Sequence, residues 1–101
     1  SADYYYPNME IKMNKFTGGL TLTNYSDNNR VFSLSDLAAG ELIRIKGDSK
    51  IITSSYRDYP IENMEDGGYK WFRYIPGKNN VRVYGNVEYI RFIHNFPKKI
   101  M

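Results

Sequence analysis

Trp71-Phe72-Arg73-Tyr74-Ile75-Pro76-Gly77-Lys78-Asn79-Asn80-Val81-Arg82-Val83-Tyr84 predicts a strand, a Pro-Gly turn and a second strand. Pro76 presets φ for the first central turn position, and Gly77 takes the positive φ that a type II turn needs next. Both flanks are dense in aromatic and β-branched residues, which suit a half-buried pleated surface. No nucleophile, base and orienting group stand together in the stretch. The question it poses is one of surface and assembly rather than reaction.

Downstream, Gly85-Asn86 separates Val81–Tyr84 from Val87–Phe96, a strong signal for a type I′ or II′ hairpin. The last strand should place Ile90 and Phe92 on one face and Val87, Tyr89, Arg91 and Ile93 on the other, and Pro97 ends it. Upstream, Met9, Ile11 and Met13 alternate with Asn8, Glu10, Lys12 and Asn14, the period of a strand with one buried face. After the Thr17-Gly18-Gly19 turn, Leu20–Thr23 predicts a second strand, Asn24–Asn29 a loop, and Arg30–Leu34 a third strand with Phe32 and Leu34 inward. Ser35–Gly40 predicts one helical turn closed by Gly40. Glu41–Lys46 and Lys50–Thr53 predict a hairpin around Gly47-Asp48-Ser49. Ser54–Lys70 is the least regular segment, with a helical turn expected over Ile61–Glu65 before Asp66-Gly67-Gly68.

Around eight short strands with regularly spaced turn signals predict an all-β fold, an antiparallel sandwich or barrel with at most one or two helical turns. The 101 residues suit one domain with a single core. Hydrophobic residues at 42% and charged residues at 25% are ordinary globular usage, which argues against disorder. Ten tyrosines raise the aromatic share to 16% and point to β structure or a contact surface. With no cysteine there is no disulfide, thiolate metal site or cysteine nucleophile. The net charge of +3 permits an acidic partner without demanding one. Apolar runs are too short to span a membrane as helices. Ser1-Ala2 opens without methionine, so residues 1–7 are expected to be a tag remnant and lead-in segment. Residues 8–101 then form one domain, expected to be excised from the C-terminus of a longer protein.

Asp36-Leu37-Ala38-Ala39-Gly40-Glu41-Leu42-Ile43-Arg44-Ile45, then Lys50-Ile51-Ile52, Trp71-Phe72, Pro76-Gly77-Lys78-Asn79-Asn80-Val81 and Arg91-Phe92…Pro97-Lys98-Lys99-Ile100 form an ordered set. Over roughly residues 18–101 it resembles the C-terminal domain of siphovirus-type phage and prophage distal tail proteins. The resemblance implies a galectin-like or jelly-roll β-sandwich projecting from a hexameric hub at the tail tip. It implies partners among tube, hub and baseplate proteins, no enzymatic activity and no cofactor. It places the protein in the virion after synthesis in the bacterial cytoplasm.

Within that frame, Arg82, Tyr84, Tyr89 and Arg91 are the candidate contact residues, on the expectation that neighbouring C-terminal strands share an outward face. Tyrosine joins an apolar body to a polar tip and suits protein interfaces. With Arg73, the same set resembles a single-stranded nucleic-acid platform, a reading given little weight because any solvated strand face alternates this way. The main alternative is a carbohydrate-binding module for host cell-wall saccharide, with Trp71 and Tyr74 as stacking platforms. Trp71 beside Phe72 is read first as core. Glu62, Glu65 and Asp66 read as a solvated acidic loop, since no calcium-loop spacing is present. His94, the one histidine, reads as structural.

Overall fold

The computed structural model describes residues 4–61 and 70–93, with backbone alone over 57–61. The turn expected at Ile61–Glu65, the acidic cluster, His94 and the closing Pro97–Ile100 lie outside these residues, apart from Ile61 itself, which ends a strand. Eight strands run in chain order: β1 Asn8–Met13, β2 Gly18–Asn24, β3 Arg30–Leu37, β4 Leu42–Lys46, β5 Ile51–Ser54, β6 Arg57–Ile61, β7 Val81–Gly85 and β8 Val87–Ile93. They form a five-stranded sheet, β6-β5-β4-β1-β8, and a three-stranded sheet, β3-β2-β7. Every strand pairing is antiparallel. One 3₁₀ turn, Tyr25–Asp27, is the helical content among the described residues.

The two sheets close on one core, so the molecule is a β-sandwich. Met9, Ile11 and Met13 of β1, Ile43 and Ile45 of β4 and Ile52 of β5 face Leu20 and Leu22 of β2 and Phe32, Leu34 and Leu37 of β3. The alternation along β1 produces this, because side chains two apart share a face of a pleated strand. β1 is an interior strand of its sheet, between β4 and β8, with Ile11 opposite Ile43 on one side and Ile90 on the other.

Local signals mislead at four places. Trp71–Ile75 forms no strand: a single antiparallel bridge joins Tyr74 to Tyr5, with N···O distances of 2.8 and 3.1 Å. Its backbone is held by side chains instead, and β7 pairs with β2 rather than with this segment. Gly85-Asn86 makes no hairpin either, because β7 pairs with β2 in one sheet while β8 pairs with β1 in the other. It is a corner between sheets. Gly85 sits at φ 131° against the backbone of Gly19 and Leu20, and a Cβ there would collide with that backbone.

The third misleading place is Ser35–Gly40. β3 continues to Leu37, and three residues of β3 span two of β2 between the pairs Leu20–Leu34 and Gly18–Leu37. Asp36, at φ 59°, carries this bulge, which turns both Leu34 and Leu37 into the core. The β4–β5 hairpin forms as expected, its loop also taking in Lys50, at φ 58°, and closing on the Lys46–Ile51 pair; the fourth misleading place is Val87. A second bulge, where Met13 faces Val87 and Lys12 faces Tyr89, turns Val87 towards the core rather than onto the face of Tyr89. The remaining faces of β8 are as expected, with Ile90 and Phe92 packed on the core and Tyr89, Arg91 and Ile93 exposed.

Three links switch sheets at the same end of the sandwich and meet at Asn14. The Asn14 N–H donates to the Asn86 carbonyl at 3.0 Å, and its carbonyl accepts from the Gly40 N–H at 2.8 Å. Beside them, buried Glu41 takes the Ala38 N–H at 2.7 Å on one carboxylate oxygen and the Ser54 hydroxyl on the other. Gly40, at φ 71°, makes the reversal that brings this carboxylate inward.

Candidate interaction surfaces

Because β7 and β8 belong to different sheets, the four contact candidates separate. Tyr89 and Arg91 stand on the outer face of the five-stranded sheet, whereas Arg82 and Tyr84 stand on the outer face of the three-stranded one. Arg73, the fifth member of the basic and aromatic set, lies on neither face and is bound to Asp27. No single sheet face gathers all five.

The outer face of the five-stranded sheet is built around Glu10. The alternation that buries Met9 and Ile11 sends Glu10 and Lys12 outward, and the register sets Arg91 and Arg44 on either side of Glu10, with Tyr89 opposite Lys12. Arg44 Nε lies 3.4 Å and Arg91 Nη1 3.5 Å from the carboxylate, and the Tyr89 hydroxyl donates to it at 2.8 Å. The Tyr89 hydrogen bond, helped by both arginines, holds the Glu10 carboxyl below its ordinary range, and the same bond pushes the Tyr89 phenol up. With Lys46 two residues beyond Arg44 on the same face, four cations gather around Glu10, and exposed Glu88 lies near enough to act on the Tyr89 phenol. Arg44 and Arg91 keep 66% and 64% of their side-chain surface exposed, so they are available to a partner.

The other outer face carries less charge: Arg82 stands on β7, and exposed Asp36 lies at the β3 bulge. Thr21 and Ser33 face one another across β2 and β3, their hydroxyls 3.3 Å apart. The Tyr84 hydroxyl bonds to that of Tyr25 at 2.9 Å.

The saccharide candidates are placed differently. Trp71 is only 8% exposed, its ring edge-on to Phe32 with centroids 5.4 Å apart, and its indole N–H meets no acceptor among the described residues. Tyr74 is half-buried, with Tyr5 stacked on it at 6.3 Å and Phe72 edge-on at 5.4 Å, and burial raises its phenol pKa. The two rings form no common exposed platform.

Beside this strip lies a polar cleft. Asp27, from the 3₁₀ turn, accepts two hydrogen bonds from Arg73, at 2.7 and 3.2 Å. That bidentate pair holds the Asp27 carboxyl below its usual range and the Arg73 guanidinium above its own. The Tyr4 ring lies 3.5 Å from the Arg73 guanidinium carbon. Arg30 donates through Nε to the Trp71 carbonyl at 2.7 Å and stands 4.0 Å from Asp27. These residues, with Asn28, Asn29, Val31 and Lys70, line a cleft of about 250 Å³. Nothing local in the sequence announces it, since its lining comes from two distant segments, Asp27–Val31 and Lys70–Arg73. On the basic face, by contrast, Glu10, Lys12, Arg44 and Lys46 could have been found by extending the strand alternation.

No group of three or more histidine, cysteine, aspartate or glutamate side chains is placed to hold a metal ion among the described residues. Two residues of the ordered sequence set, Glu41 and Asn79, have structural explanations. Glu41 closes the β3–β4 reversal. Asn79 clamps the Pro76-Gly77 loop, accepting from the Ile75 N–H at 2.9 Å and donating to the carbonyls of Ile75 and Gly77 at 2.9 and 3.1 Å. Buried Asn24 joins it, donating to Asn79 at 2.9 Å and to the Arg73 carbonyl at 3.0 Å.

No curated protein matches the chain, and no solved structure does. Residues 1–93 match the family model described as the phage tail C-terminal domain. The sandwich, its outward basic face and motif residues spent on loop geometry all accord with a structural part. The chain belongs to the phage tail C-terminal domain family and is a structural component of a phage tail.

Proposed function

We propose that this domain works at the tail tip, as part of the distal hub, and presents a rigid sandwich surface to neighbouring tube, hub or baseplate proteins. The observation that carries this reading is the outer face of the five-stranded sheet. Tyr89, Arg91, Lys12, Arg44 and Lys46 surround Glu10 on strands locked by ladders, so the group needs little ordering when a partner docks. The excess of positive charge calls for an acidic counter-surface on the partner. Arg82 and Tyr84 offer a second, smaller contact on the opposite face. A hexameric arrangement and a galectin-like sandwich belong to the same proposal.

The test is incorporation into assembled tails. Reversing charge at Arg44→Glu with Arg91→Glu should abolish crosslinks to neighbouring tail proteins while the isolated domain stays folded. Normal incorporation of that double variant, with loss on Arg82→Glu instead, would move the contact to the other sheet.

The second reading, saccharide binding, draws support from the polar cleft beside Asp27 and Arg73, where cations, a carboxylate and two asparagines converge.

A further inference from the structure

We propose that the cleft between the Tyr25–Asp27 turn and the Lys70–Arg73 segment binds a phosphate-bearing sugar or polyol, held by Arg30 and Lys70. The inference rests on the saccharide reading and names its ligand class.

Charge balance carries it. Three cations, Arg30, Lys70 and Arg73, line the cleft with a single carboxylate among its described residues, Asp27. Asp27 is committed to Arg73 through both oxygens. Arg30 gets only the remoter contact of 4.0 Å, although its side chain is just 16% exposed. Its guanidinium pKa is pulled down by burial and by the charge of Arg73, and Asp27 offsets this only in part. A largely buried cation so weakly compensated favours an incoming anion, and the low local dielectric strengthens that attraction.

Size and shape narrow the ligand. A cleft of about 250 Å³ holds on the order of eight waters, more than a bare oxyanion displaces. Asn28 and Asn29 line the rest, and amide side chains both donate and accept, which matches sugar hydroxyls. Both asparagines sit in the left-handed region, at φ 52° and 57°, so the loop departs from β geometry on the rim of the cleft. The Arg30 Nε bond to the Trp71 carbonyl fixes the guanidinium before any ligand arrives. The basic face around Glu10 offers similar charge beside a smaller cleft, of about 160 Å³, lined by Glu10, Arg44, Lys46 and Ile93, so it is the internal control.

The experiment is amide chemical-shift titration of the whole chain with glucose 6-phosphate, inorganic phosphate and glucose. Glucose 6-phosphate should shift Asp27–Val31 and Arg73, with weaker shifts from phosphate and none from glucose. Arg30→Gln and Lys70→Gln should each weaken glucose 6-phosphate binding by about tenfold, and raising salt should weaken it further. Amide dispersion checks that the variants fold, and Lys70→Gln touches no hydrogen bond of the described core. Equal shifts from glucose alone would overturn the anion site and leave saccharide binding standing. No response at these residues to any probe would overturn both. Shifts confined to Arg44, Lys46 and Arg91 would overturn the cleft as the site.

Discussion

β1 and the segment from Lys70 to Asn80 are both central to the sandwich, and they are held in opposite ways. β1 has a ladder on each side and three side chains sealed in the core. The later segment has one bridge, to Tyr5, and side chains of Asn24, Arg30 and Asn79 take up much of its remaining backbone. Buried backbone groups must be paired in either case. A ladder does this with a repeating pattern that leaves its signature as alternation. A clamp does it with single side chains from distant segments, which leave none.

The largest contrast should come from Ile11→Ala on β1. Loss of transfer energy plus a cavity should cost about 2–5 kcal/mol, read by urea denaturation. Glu41→Ala, which leaves the Ala38 N–H and the Ser54 hydroxyl without their charged acceptor, should cost about 2–3 kcal/mol in the same assay. Asn79→Ala should cost about 1–3 kcal/mol, because the Ile75 N–H and the Asn24 amide lose their acceptor. It should also change the environment of Trp71, the one tryptophan, while β1 amides stay protected. If β1 protection fell equally, the two regions would be one cooperative unit rather than a ladder with a clamped segment.

Acid should separate them further. Asp27 has a folded pKa below its unfolded one, so its stabilisation is complete above the unfolded value, about 4, and is lost as pH falls through the folded value. Below pH ~4 the fluorescence of Trp71 should therefore change before β1 exchanges its amides. Smallest of all, Arg91→Ala should alter stability by less than about 1 kcal/mol, since its ion pair with Glu10 is exposed on the arginine side. A larger loss would mean that the outer face helps hold the sheet.

The same distinction governs what could be read from the residues. The alternation of β1, the inward Phe32 and Leu34 and the outward Tyr89 and Arg91 follow from a period of two, and each is seen. Gly85-Asn86 has the chemistry of a hairpin, yet two-residue chemistry cannot state which strands lie beside its flanks. Trp71–Ile75 has strand composition, but β2 has only one free edge for β7 and this segment. The bulges at Asp36 and opposite Met13 each add one residue, which brings Leu37 and Val87 to the core side against the period of two. The contact candidates split because β7 and β8 lie in different sheets. Tyr84 and Tyr89 are close in sequence and stand on opposite outer faces. The Asp27–Arg30–Lys70 cleft had no local pattern to find.

The β1 ladder also bears on the order of assembly. β2 and β8 must find partners from opposite ends of the described chain, β7 for one and β1 for the other. Pairings of such long sequence separation form slowly, because the intervening chain must be ordered before they repay it. On the ribosome, β1 emerges early and can pair with β4, but its other edge stays open until β8 is made. That open edge is an aggregation hazard during synthesis, and the outward Glu10 and Lys12 put charge along it. The carboxylate at the centre of the proposed contact face would then have an earlier duty, keeping a half-built sheet from joining its neighbours.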